Sequence, residues 1–158
     1  APLVTAEGVR AVVEGLRHRF PFILLDLPPT FSDLNLAMLE GSDAIVVVTT
    51  PEMAGVKTTA AAFEILESLG YPRERTCLAI NTVFAARPLA TVDIAGTINR
   101  KVDLTIPYER SLFVDAINKG VPAVREAPRS SAVRAIQAFA ATLISRYHIT
   151  AEAASTTI

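Results

Sequence analysis

Phe22-Ile-Leu-Leu-Asp26-Leu-Pro-Pro29 is a short apolar run closed by an acid and two prolines. Four apolar residues in a row predict a strand over 22–27 buried in a parallel sheet, with Asp26 at its carboxyl end. The same pattern recurs downstream. Asp43-Ala-Ile-Val-Val-Val-Thr49 is apolar and β-branched, which predicts a strand covered on both faces. Pro51 is placed to open a helix, because its missing N–H does no harm there. That helix runs to Leu69 and stops at Gly70, a residue suited to a left-handed C-cap. Thr76-Cys-Leu-Ala-Ile-Asn81 is the third predicted strand, and Val102–Ile106, ended by Pro107, is the fourth. Residues 83–88 read as a loop and 91–98 as a short helix.

Two further helices close the chain. Arg110–Lys119 stops at Gly120, and Ser130–Tyr147 carries Val133, Ile136, Ala140, Leu143 and Tyr147 on one face. Upstream, Thr5 and Gly8 open a helix over 5–19 whose apolar positions are Val9, Val12, Val13 and Leu16. Ser32 can cap a helix running through Leu39. Residues 148–158 read as a frayed tail. Strands alternating with helices predict an α/β fold: one domain with a doubly wound, mainly parallel sheet and helices on both faces.

Composition narrows the function. The 158 residues are 51% hydrophobic, enough for a proper core. Fifteen Lys+Arg against 16 Asp+Glu leave a net charge of −1, no footprint for bulk nucleic-acid or anionic-membrane binding. The single cysteine, Cys77, rules out an internal disulfide and lies in an apolar run, as a buried structural thiol does. His18 and His148 have no partners at ligand spacing, so no zinc site is expected. No apolar stretch approaches the roughly 20 residues of a membrane-spanning helix. The N-terminus has no signal-peptide pattern, and a cytoplasmic setting is expected.

In parallel α/β sheets, ligands sit beyond the carboxyl ends of the strands. That rule selects Asp26 with Pro28 and Pro29, Thr49 to Glu52, Asn81, and Pro107 to Glu109. A strand-end carboxylate at Asp26 can hold a hydrated Mg²⁺ beside nucleotide phosphates, or it can cap nearby backbone N–H groups. Pro28-Pro29 stiffens either a phosphate-sensing loop or a plain turn. Asn81 offers a donor and an acceptor that match an adenine edge, or it makes an Asx turn. Glu52 and Lys57 read as a solvated helix face. No G-x-x-x-x-G-K-[ST], G-x-G-x-x-G or G-x-S-x-G stretch is present. With no initiator Met before Ala1, the expectation is the C-terminal part of a longer protein.

The ordered segments resemble a known family. Phe22–Pro29, Ala44–Glu52, Leu78–Thr82, Ile106–Arg110, Ala116–Pro122 and Pro128–Ser131 follow the order and spacing of the MinD/ParA class of P-loop ATPases. Within that class the chain looks most like the CpaE/TadZ branch of pilus-assembly proteins. The resemblance covers residues 5–147. It implies that Asp26 is the Walker B acid and acts on Mg²⁺, through water. It implies that Leu27–Thr30, with Pro28 and Pro29, is the switch II segment. Asn81 would bond the adenine base, and Pro107 and Tyr108 would flank it. ATP and Mg²⁺ are the implied cofactors of the intact protein.

The implied partners are a second copy in a nucleotide-dependent dimer and pilus or secretion assembly proteins, with localisation at a cell pole. Thr82 stands where the family often has a basic residue. The tail has no Lys or Arg, so no membrane-targeting helix is expected there. The alternative is a non-catalytic scaffold or localisation module that keeps the ATPase fold.

Overall fold

A computed structural model describes residues 4–85 and 87–147; the expected tail lies outside them. The chain divides into two units, residues 1–43 with 144–158, and residues 44–143, and each is described by itself.

In the first unit, helix α1 spans Ala6–Arg17 and helix α2 spans Asp33–Glu40. Thr5 caps α1 by accepting the Gly8 N–H at 3.1 Å, and Ser32 caps α2 by accepting the Asn35 N–H at 3.3 Å. Along α1 the less exposed positions are Ala6, Val9, Val13 and Leu16, the expected three- and four-residue spacing. Val12 is a correction: it lies off that stripe and is exposed. Arg10 pairs with Glu40 at 2.7 Å between α1 and α2.

The expected strand over 22–27 is not formed; residues 22–28 carry no regular secondary structure. Exposure there still alternates with period two: Phe22, Leu24 and Asp26 are exposed, and Ile23, Leu25 and Leu27 are half-buried. Leu24 is 98% exposed. A strand is defined by its ladder as well as by its side-chain pattern, and only the pattern is present.

The second unit holds a sheet of three parallel strands in the order β1-β2-β3: Ile45–Thr49, Thr76–Asn81 and Val102–Ile106. Helix α3 (Met53–Ser68) joins β1 to β2, and α4 (Thr91–Ile98) joins β2 to β3. Crossover helices are what parallel neighbours require. In register, Ile45 faces Thr76 and Thr49 faces Ile80. Between β2 and β3 the register slips after Leu78, and the Asp103 carboxylate accepts the Leu78 N–H at 3.0 Å. The side chain thus replaces a ladder acceptor at the bulge.

All five residues Thr76–Ile80 are buried. Successive strand side chains point to opposite faces, so both faces of β2 are covered. Strand β1 differs from the expectation. Ile45 and Thr49 are buried, but Val46 and Val48 are 39% and 58% exposed. Among the described residues β1 thus has one covered face and one exposed face.

Helix ends follow the glycine pattern. Gly70 has φ +84°, and the Tyr71 N–H returns to the Leu66 carbonyl at 3.0 Å. Pro51 is a correction: it precedes the helix, Glu52 occupies the N-cap position, and the Pro51 carbonyl accepts the Leu89 N–H at 2.9 Å. Helix α5 (Leu112–Lys119) ends at Gly120, φ +65°. A short helix α6 (Ala123–Glu126), not expected from sequence, precedes α7 (Ser131–Arg146).

At the amino end of β2, Arg100 stacks over Phe63 at 4.4 Å and donates to Thr76 Oγ1 at 2.5 Å and to Glu67 at 2.7 Å. Arg73 reaches the same Glu67 carboxylate at 2.9 Å. These guanidinium bonds, Arg100 first, hold the Glu67 carboxyl below its ordinary range.

The two sheet positions Ile80 and Val48 make opposite predictions. Ile80→Ala empties a site that is 1% exposed, and about 2–5 kcal/mol of stability is lost. Val48→Thr changes stability by less than about 0.5 kcal/mol, as expected of an exposed site. Urea unfolding of both variants checks this; a large loss for Val48→Thr would show that the outer face of β1 is covered in solution.

Candidate functional site

The carboxyl ends of β1, β2 and β3 bring three polar loops to one edge of the sheet. After β1 the chain turns sharply. The Glu52 N–H donates to the Thr50 carbonyl at 2.9 Å, and the Thr50 hydroxyl donates to Glu52 Oε1 at 2.5 Å. The other oxygen, Glu52 Oε2, is buried without a hydrogen-bond partner among the described residues. Glu52 is therefore not the solvated residue expected from sequence. Gly55 makes this packing possible: a Cβ there would meet Thr50 Oγ1 at 2.8 Å, Glu52 Oε1 at 2.9 Å and the Thr50 carbonyl at 2.9 Å.

The last residue of β2 is Asn81, half-buried at the end of the central strand. Among the described residues its amide has no side-chain hydrogen bond, so its donor and acceptor both remain available. The next residue, Thr82, donates its N–H to the Ile106 carbonyl at 3.0 Å. That bond ties the exit of β2 to the exit of β3, beside Pro107 and Tyr108. Tyr108 is 37% exposed.

The next residue is Glu109, which the strand-end rule also selects. Its Oε1 accepts from the Ala132 N–H at 2.9 Å and the Ser131 hydroxyl at 2.7 Å. Both donors lie at the start of α7, where unpaired N–H groups and the helix dipole favour an anion. Ser130 completes the cap by accepting the Val133 N–H at 3.0 Å. The Ala132 bond first, then the Ser131 hydroxyl, pull the Glu109 carboxyl below its ordinary value. The sequence cue was there: a Ser-Ser pair opening a helix, which needs an acceptor.

Asp26, Pro28 and Pro29 belong to the first unit and are all exposed. Among the described residues, no three His, Cys, Asp or Glu side chains are grouped to hold a metal ion. No helix among them is long and apolar enough to cross a membrane.

No family profile matches the chain. Its structure superposes on that of a ParA family ATPase from Chlorobium tepidum with a TM-score of 0.79, at 19% identity, over 89% of this chain and 57% of that one. The chain has the MinD/ParA-class P-loop ATPase fold. MinD of Aquifex aeolicus, solved with MinC, matches with a TM-score of 0.78 at 22% identity, over 92% of this chain and 61% of that one. MinD of Pyrococcus horikoshii, solved with Mg-ADP, matches with a TM-score of 0.76 at 19% identity, over 94% and 60%. In sequence, the chain is similar to the septum site-determining protein MinD of Thermotoga maritima, 26% identical over 125 residues. That alignment takes in 76% of this chain and 46% of the relative, so the chain spans about half the length of the curated MinD it matches.

The Glu109 bonds predict a pH dependence. A carboxyl depressed by folding stabilises fully above its unfolded value, near the ordinary 4.5, and the contribution is lost as pH falls through the lower folded value. Thermal melts of the wild-type chain and Glu109→Gln should therefore differ most near neutrality and converge on acidification. Parallel curves down to about pH 3 would mean that the carboxylate is not the capping species.

Proposed function

We propose that this chain is part of a CpaE/TadZ-like member of the MinD/ParA class, a Mg·ATP-dependent protein that assembles or places a pilus or secretion apparatus. The observation that carries the proposal is Asn81: a half-buried amide whose donor and acceptor are free among the described residues, at the carboxyl end of the central strand and tied through Thr82 to the Pro107–Tyr108 loop. Ligands of open parallel sheets bind at this edge, and an amide matches the paired donor and acceptor of an adenine edge. Pro107 and Tyr108 would flank the base.

Asp26 is an exposed carboxylate followed by a Pro-Pro loop. A lone carboxylate suits Mg²⁺, which keeps several waters and takes few protein oxygens. When bound, the metal neutralises charge on the transferred phosphoryl group. Asp26 would orient its water shell, and Pro28 and Pro29 would stiffen the loop facing the terminal phosphate. In the whole protein the reaction is phosphoryl transfer from ATP to water, coupled to a homodimer. The branch within the class rests on the ordered motifs, from Phe22–Pro29 to Pro128–Ser131. The net charge of −1 favours protein partners over DNA.

Two measurements test this reading. In the natural full-length protein, Asn81→Ala should weaken ATP by about fivefold, roughly the worth of one hydrogen bond, and GTP by less. Equal losses would make Asn81 a structural turn. These 158 residues by themselves should turn over no ATP, because no phosphate-cradling loop is present in their sequence. Mg²⁺-dependent turnover abolished by Asp26→Ala would overturn that expectation.

A further inference from the structure

Asn35 is a polar side chain in the first turn of α2, and it is only 3% exposed. Its Nδ2 lies 2.7 Å from the Thr30 carbonyl, 2.9 Å from Thr30 Oγ1 and 3.1 Å from the Pro28 carbonyl. The two carbonyl oxygens fix the amide's orientation, since they can only accept and only the NH₂ end can donate. The Pro28 carbonyl also accepts the Thr30 N–H at 2.7 Å. Neither Pro28 nor Pro29 has an N–H, so the loop cannot hold itself by its own backbone donors at those positions. The helix is anchored separately: Ser32 caps it, and the Leu36 N–H bonds the Ser32 carbonyl at 2.9 Å.

A buried amide spending both hydrogens on one exposed loop is more than a helix cap requires. Its acceptors begin two residues after Asp26. We propose that Asn35 is the positioning residue of the Asp26–Thr30 segment, latching the loop so that the Asp26 carboxylate is presented to a hydrated divalent cation. The metal part of this inference rests on the ATP reading above; the latch does not. Asn35 touches neither nucleotide nor metal in this scheme. It acts by holding Pro28 and Thr30, and any rearrangement of the loop on nucleotide exchange has to break its bonds.

The test uses the natural full-length protein with Asn35→Asp, which removes the donor at constant shape, and Asn35→Ala, which suits a helix if the acid prevents folding. Amide exchange is read at Thr30 and, as the helix control, at Leu36. The Thr30 amide should exchange about tenfold faster in the variants, as expected when a buried donor's bonds are lost, while Leu36 is unchanged. Unchanged exchange at Thr30, or equal acceleration at both amides, overturns the latch.

The Mg²⁺ concentration that half-saturates ATP binding should rise about fivefold, with ADP binding in EDTA left within about twofold of wild type. An unchanged Mg²⁺ requirement in a variant whose Thr30 amide is released overturns the positioning role. Wild-type protein that binds no ATP with or without Mg²⁺ overturns the ATP reading and the metal role with it, and the Thr30 exchange still decides the latch.

Discussion

Everything in the second unit depends on the parallel ladder along β2. A strand with partners on both sides satisfies its backbone groups in both directions, and only then can both its faces be buried without orphaned N–H and C=O groups. Thr76–Ile80 meets that condition, and the unit's buried side chains also include Leu66 and Phe63 from α3, Ile94 and Ile98 from α4, and Val133 from α7. The flanking strands are held by the same ladder at one side each. Their exits are therefore fixed relative to Asn81, which is what places Thr50–Glu52 and Pro107–Glu109 along one edge.

The two ends of β2 do different work. At the amino end, Arg100 is held by stacking on Phe63 and by bonds to Thr76 and Glu67. That network closes on itself apart from one buried nitrogen, Arg100 Nε. At the carboxyl end the polar groups are less completely paired, as at Asn81 and Glu52 Oε2. Saturated polar groups stiffen a scaffold.

Much of this was legible in the sequence. Three of four strands, the principal helices and the left-handed ends at Gly70 and Gly120 follow from apolar runs and punctuation, which are local signals. The absence of a strand over 22–27 was not, because Phe22–Leu27 contains the side-chain half of a strand and says nothing about its ladder. Val46 and Val48 mislead for a related reason: β-branched residues mark a strand equally well at an edge and at the centre. The site divides the same way. Asn81 and Pro107 stand out because strand ends can be located by eye, and Asp26 stands out by the same rule although no strand forms before it. Glu52 and Glu109 are located by the same rule but their roles are not, and Asn35 is not located at all, since each draws its significance from an acceptor, donor or void that only folding supplies. Asn35 looks like any polar residue early in a helix until its nitrogen is found against Pro28 and Thr30.

Gly55 shows how far such a contact reaches. It sits in the first turn of α3, where an alanine would ordinarily favour the helix by close to 1 kcal/mol. Its missing side chain is instead space already taken by Thr50 and Glu52. A stabilisation campaign that replaced helical glycines wholesale would gain at open positions such as Gly15 and Gly96, which have nothing within 4 Å. At Gly55 the same exchange would push the turn after β1 out of place. A gain in thermal robustness would then arrive together with a reshaped carboxyl edge.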